Sequence, residues 1–182
     1  FNVANGYFHF PAEEFEAYFL KHNGKISNVG IDWSNVPENK KLVLDFTDKR
    51  LDKVILNNVF FNNGDVVFKG LTEEREIGKD KTETVNKKFI MRNCCARDVQ
   101  FYDSDISHAT FQGVCATRNV ILNNTKATKS AIGKNGGFYA DNIVLENGSK
   151  LNKNYFENLF VADTLQIGKD CEMSGNKFVN SY

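Results

Sequence analysis

The chain has 182 residues, 41% hydrophobic and 25% charged, and its 23 basic residues balance 23 acidic ones. A net charge of zero argues against a general grip on nucleic acid, which needs a basic face. No apolar run approaches the length of a membrane span, and no signal peptide is expected.

The length suggests one domain, two at most. Phe occurs 16 times against one Trp and two Pro, as expected where flat rings stack at one repeated position. The four cysteines, Cys94, Cys95, Cys115 and Cys171, have neither zinc-type spacing nor the density of a secreted disulfide framework. Reducing surroundings are therefore expected. The first residue is Phe, not Met, which leads us to expect a piece of something longer.

In chain order, Pro11 to Gly24 reads as a short helix. Pro11 suits its first turn, Glu13 and Glu14 its positive end, and Gly24 its stop. Phe15, Tyr18, Phe19 and His22 fall on one face. Residues 1–41 are expected to form an N-terminal helical cap, with Trp33 buried where the cap meets the repeat region.

From Leu44 a step of five appears: LDFTD, KRLDK, VILNN, VFFNN, GDVVF. Its third residues are Phe46, Leu51, Leu56, Phe61 and Val66. Residues 70–88, GLTEEREIGKDKTETVNKK, interrupt it with dense charge of both signs and read as a solvated loop inserted in the repeat. Glu73, Glu74 and Arg75 become candidate partner contacts there, because inserted loops often lie on a binding face. The fives resume without a break from Phe89 to Asn123: FIMRN, CCARD, VQFYD, SDISH, ATFQG, VCATR, NVILN. All seven third residues are apolar: Met91, Ala96, Phe101, Ile106, Phe111, Ala116 and Ile121. Helices repeat at steps of three and four, and half-buried strands at two. A sustained step of five needs a chain that turns a corner every five residues.

Lys129 to Gly137 reads as a loop or distorted corner. Beyond it the repeat lengthens. Ala140 to Asn158 recurs as Ala162 to Asn180, at an offset of 22 residues. Ile143 matches Leu165, Leu145 matches Ile167, Leu151 matches Met173, Asn154 matches Asn176, and Phe156 matches Phe178. Asn119-Val-Ile-Leu also matches Asn142-Ile-Val-Leu, at an offset of 23.

The fives resemble the pentapeptide-repeat family, well over residues 42–69 and 89–123 and loosely over 138–182. The resemblance implies an all-β, right-handed parallel β-helix with four units per coil. It implies about six coils, with the helical cap on residues 1–41 and the β-helix on 42–182. With four fives per coil, residues 20 apart should stack one above the other. Cys95 then stacks on Cys115 as a side-by-side thiol pair, Asp98 on Arg118 as a ladder ion pair, and Tyr102 on Leu122 as an outward apolar pair. Tyr102, Leu122, Arg97 and Arg118 are accordingly candidate partner contacts.

No constellation in the sequence points to chemistry. Gly133-Lys-Asn-Gly-Gly137 lacks the spacing of a phosphate loop. In Asp103-Ser-Asp-Ile-Ser-His108 the fives place Ser104 inward and His108 at a corner, so they do not converge. Cys95 lies beside Arg97 but has no His in register. Asn57, Asn58, Asn62, Asn63, Asn123, Asn124, Asn147, Asn154 and Asn158 are read as corner residues, since Asn tolerates left-handed backbone. The expected role is that of a binding or scaffold module presenting flat stacked faces to a protein partner, with no catalysis, cofactor or metal of its own. Similar modules are found in bacterial secreted effectors of the HECT-like ubiquitin-ligase type, which would put the chain in a bacterial cytoplasm or a host cytosol. A purely structural spacer and a polysaccharide-active β-helix enzyme are the alternatives. Oligomerisation through an open coil end is a further expectation.

Overall fold

A computed structural model describes residues 8–49, 51–71, 74–79, 81–84 and 88–182. Its elements are β1 (Phe8–Pro11), α1 (Ala12–Lys21), β2 (Lys25–Asp32), β3 (Lys41–Asp45), β4 (Lys53–Phe60), β5 (Asp65–Lys69), β6 (Glu74–Gly78), β7 (Lys81–Thr84) and β8 (Lys88–Tyr102). Then come β9 (Thr110–Asn123), β10 (Lys126–Thr128), β11 (Ala131–Ile132), β12 (Phe138–Glu146), β13 (Lys150–Asn152), β14 (Tyr155–Glu157), β15 (Leu159–Ile167), β16 (Glu172–Ser174) and β17 (Lys177–Val179). Apart from the β6–β7 hairpin, the pairings are parallel, between residues one coil apart. The fold is a parallel β-solenoid of about seven turns with one short helix near its start.

The coil has four sides. Side one holds residues 88–92, 110–112, β11, β14 and β17. Side two holds residues 94–96, 114–116, 138–140 and 159–161. Side three holds β3, β5 and residues 98–102, 119–123, 142–146 and 164–167. Side four holds β10, β13 and β16. The long strands β8 and β9 run round corners through three sides. The rise from Ile90 to Thr110 takes 20 residues, the spacing the fives imply, and Thr110 to Ala131 takes 21. Further on the coil widens, to 24 residues from Ala131 to Tyr155 and 22 from Tyr155 to Lys177.

Six of the seven third residues between Met91 and Ile121 are buried: Met91, Ala96, Phe101, Ile106, Phe111 and Ala116. Ile121 is the exception, and Leu122 takes its inward place. The phenylalanines form a continuous core, but they are not a simple stack. Phe68 and Phe101 stack at 5.2 Å, while Phe89 and Phe111 meet Phe101 edge-on at 5.5 and 6.1 Å. Edge-to-face contact suits the ring quadrupole, so a column of rings need not be parallel.

The corners explain most of the asparagines. Asn28, Asn58, Asn93, Gly113, Gly137, Asn158 and Asn180 all have positive φ, and consecutive members lie on adjoining rungs of the corner between sides one and two. Asn and Gly are the residues that enter the left-handed region at least cost. Among the remaining asparagines read as corners, Asn62, Asn63, Asn124 and Asn147 also have positive φ. Asn57, Asn123 and Asn154 do not. The first two lie within β4 and β9, and the buried amide of Asn154 donates to Ala127 O at 3.1 Å.

The stack begins before residue 42, since β1 and β2 are already its rungs and α1 connects them. Pro11 sits at the helix N-cap, and Gly24, at φ +74°, lets the chain leave the helix. Phe15 and Phe19 are fully buried over the first coils, and Phe19 meets Phe46 edge-on at 5.8 Å. Trp33 is buried as expected, and its indole N–H donates to Phe61 O at 2.6 Å.

The charged insertion contains structure that its composition hid. Residues of β6 and β7 pair antiparallel in a sheet of their own. Leu71 is buried and its N–H donates to Ser104 Oγ at 3.1 Å, so it belongs to the coil. Replacing residues 72–87 by a short Gly-Ser link should therefore cost less than about 1 kcal/mol in urea denaturation, because loop length changes closure entropy only slowly. A loss of cooperative unfolding in that variant would show that the hairpin holds the coil.

Candidate binding face

On side two each strand contributes three residues, with the first and third inward. Only the middle residue faces out. Phe60, Cys95, Cys115, Tyr139 and Phe160 hold this place on successive rungs, in register. Tyr182 adds a sixth. Its N–H donates to Leu159 O at 2.8 Å, and its carbonyl accepts from Val161 N–H at 2.7 Å, which sets it over Phe160. The result is a stripe of aromatic and sulfur side chains about 24 Å long, five steps of the strand spacing. Its first four members are half-buried, and Phe160 and Tyr182 are exposed. Tyr139 and Phe160 stack at 5.6 Å, 14° from parallel. The Tyr139 hydroxyl donates to Asp141 Oδ1 and its pKa is raised by that carboxylate.

The corner between sides two and three carries an ion ladder. Arg97 makes two parallel bonds to Asp65, at 2.8 and 2.9 Å, and Arg118 two to Asp98, at 2.8 and 2.7 Å. Arg118 also lies 3.6 Å from Asp65. Each carboxylate serves the backbone one coil on: Asp65 Oδ1 accepts from Asp98 N–H at 3.1 Å, and Asp98 Oδ1 from Asn119 N–H at 3.0 Å. Gln100 Nε2 donates to Asp98 Oδ2 at 3.1 Å. Burial raises the Asp98 carboxyl, but the Arg118 and Asn119 hydrogen bonds with the Arg118 charge outweigh it and hold its pKa below the ordinary value. The expected Asp98–Arg118 pair thus forms, and its carboxylate is buried. Arg97 and Arg118 are each neutralised within the corner.

The ladder comes with a bulge that corrects the sequence register. Ala96 pairs with Ala116, but Asp98 pairs with Asn119. The extra residue in β9 shifts every later side chain by one, the usual effect of a bulge. Tyr102 therefore pairs with Asn123, not Leu122. Leu122 lies in the core against the place of Phe101, so it is no surface contact. Tyr102 is half-buried on side three. Glu73 lies outside the described residues; Glu74 and Arg75 lie on β6, off the stack.

Cys95 and Cys115 stand in register as expected, and all four cysteines are unpaired. Burial, the neighbouring Cys95 thiol and Asp141 push the Cys115 thiol up to about 11. Burial carries Cys94 to about 12, against the weaker effect of its backbone hydrogen bonds. Neither thiol is poised as a nucleophile. Alkylation of Cys115 by iodoacetamide at pH 8 should be about a hundredfold slower than in the urea-denatured chain, and should accelerate as the pH approaches its folded pKa. Peptide mapping of the alkylated cysteines would check this; equal rates in the two states would contradict it.

Ser104 is inward, with its hydroxyl donating to Tyr102 O at 2.7 Å, and His108 sits at a corner with φ 58°. They do not form a site. Gly133 to Gly137 form a turn closed by Gly137 N–H donating to Gly133 O at 2.7 Å, and Gly133, at φ +93°, passes so close to Glu157 O that a Cβ would lie 2.1 Å from it. Among the described residues no group of three or more His, Cys, Asp or Glu could hold a metal ion, and no helix is long and apolar enough to cross a membrane. Comparison with protein-family models, with curated proteins and with solved structures finds no match.

Proposed function

We propose that the chain is a protein-binding solenoid module that docks its partner along side two. One observation carries the reading. The outward place on this side holds Phe60, Cys95, Cys115, Tyr139 and Phe160 in an unbroken column, where a spacer would be served by polar residues. The strip is exposed at Phe160 and Tyr182 and half-buried before them, and an outward apolar strip rimmed by polar groups is the form a protein contact surface takes. The rim here is the Asp65–Arg97 and Asp98–Arg118 ladder, whose charges are internally balanced. Such a face favours a partner with an apolar ridge over a strongly charged one. The five-residue units and four unpaired cysteines support a wider reading: a module of a bacterial secreted effector, working in a reducing compartment, with any catalysis outside residues 1–182.

A photo-crosslinking residue tests the face. Placed at Phe160, it should capture discrete partner proteins in lysate of the host cell. Placed at Gln112, outward on side one, it should not. The same products from both positions would remove side two as the docking face.

A further inference from the structure

We infer that the partner of side two is a second copy of this chain, docked face to face with its coils running the opposite way, about a two-fold axis between the Cys115 and Tyr139 rungs. The inference rests on the docking reading of side two and names its partner.

The corner between sides two and three changes sign along the stack. Beside the rungs of Cys95 and Cys115 stand Arg97 and Arg118; beside those of Tyr139 and Phe160 stand Asp141 and Asp163. The two arginines are 34% and 49% exposed, but the carboxylates that hold them, Asp65 and Asp98, are 9% and 3% exposed. The ladder therefore shows its basic groups to the outside. Each guanidinium gives Nε and Nη2 to its carboxylate and keeps Nη1 for a further acceptor. Asp141 is half-buried and Asp163 exposed, and neither has a basic partner among the described residues. The stripe changes size at the same place, from two small thiols to two stacked rings.

A two-fold axis lying across the face at that place reverses the order in the second copy. Arg118 then meets Asp141 of the second copy, and Arg97 meets Asp163. Cys115 meets the ring of Tyr139, and Cys95 the ring of Phe160, so small side chains face large ones throughout. Because the contact is isologous, each of these pairs occurs twice. Faces packed about 10 Å apart leave an Arg within reach of the opposite carboxylate. Neighbouring registers lose this match. An axis through the Cys115 rung sets Arg118 against itself, and one through the Tyr139 rung sets Asp141 against itself and ring against ring. Opposed like charges are what excludes a wrong register. An axis along the solenoid brings each rung onto its own equal. It also turns the charged corner toward the corner of Asn93, Gly113, Gly137 and Asn158, which carries no charge. One register satisfies both the charges and the sizes.

A face roughly 24 Å by 15 Å in each copy buries on the order of 700 Å² in all, below the roughly 1,000 Å² of a lasting complex. The dimer is therefore a reversible one. Sedimentation equilibrium of the purified chain from about 0.01 to 1 mM, at about 50 mM salt, should show a monomer–dimer equilibrium that weakens as salt is added. Asp163→Arg, at an exposed position, sets like charges against Arg97 and should raise the dissociation constant about tenfold or more. Asp163→Asn, which removes attraction without adding repulsion, should raise it less. A photo-crosslinking residue at Phe160 of the purified chain should join two copies, with the attachment in the peptide around Cys95. A chain that stays monomeric throughout, a dimer indifferent to Asp163→Arg, or attachment around Phe160 instead of Cys95 overturns the inference. A monomer whose Phe160 still captures discrete proteins from lysate overturns the self-pairing and leaves the docking face standing. A dimer crosslinked from Gln112 and not from Phe160 overturns both.

Discussion

Phe111→Ala should lower the stability of the folded chain by about 3–5 kcal/mol, the range for truncating a buried Phe. The side chain is buried in the middle of the ring column, 5.6 Å from Phe89, 6.1 Å from Phe101 and 5.8 Å from Phe138. Those rings belong to the coils on either side of Phe111, so the lost contacts run along the solenoid axis as well as across it. The backbone cannot close over the space, because Met91 and Ile132 flank Phe111 in fixed register on both neighbouring rungs. Gln112 is the control. It faces out on side one and accepts from Arg92 Nε at 2.8 Å, an exposed bond. Gln112→Ala should stay within about 0.5 kcal/mol of the parent, the usual surface range. Urea denaturation of the two variants measures the phase of the repeat directly. Equal losses would mean that the assignment of inward and outward places is wrong.

Much of this fold is legible in the sequence because the core repeats in one place per side. The 20-residue spacing alone puts Cys95 over Cys115 and Met91 over Phe111, and the pairings agree. The 22-residue offset is equally direct: Ile143 with Leu165, Leu151 with Met173 and Phe156 with Phe178 are all in-register neighbours. Three things are hidden, each for a physical reason. The bulge after Ala116 leaves no trace in the polarity pattern, because Ile121 and Leu122 are both apolar and either could fill the inward place. Asp65 escapes notice as the partner of Arg97 because the insertion at 70–88 stretches their separation to 32 residues, well beyond one regular coil. The side-two stripe is half visible. Cys95 and Cys115 mark it, but adding Tyr139 and Phe160 requires the widened coils after Ala131, whose lengths obey no fixed step.

Asp98 is where the hidden bulge has its largest energetic consequence. The residue is 2% exposed, yet its carboxylate answers to Arg118 twice, to Asn119 N–H and to Gln100. Asp98→Ala leaves the Asn119 N–H without its acceptor inside a buried corner and Arg118 without its partner. The expected loss is about 2–4 kcal/mol, more than for an exposed ion pair because the carboxylate is buried, and less than for a fully buried pair because Arg118 is half exposed. Asp98→Asn keeps an oxygen for Asn119 N–H and should lose less. The depressed carboxyl sets the sign of the pH effect. A folded pKa below the unfolded value, about 3.9, gives a contribution that is present in full well above that value and disappears as the pH falls through the folded pKa. Urea midpoints of the parent should therefore drop more steeply below about pH 4 than those of Asp98→Ala, and the two curves should approach each other toward pH 2. Curves that stay parallel across that range would show that the Asp98 carboxyl titrates alike in the folded and unfolded chain, and the ladder would then be a consequence of the bulge rather than a force that holds it.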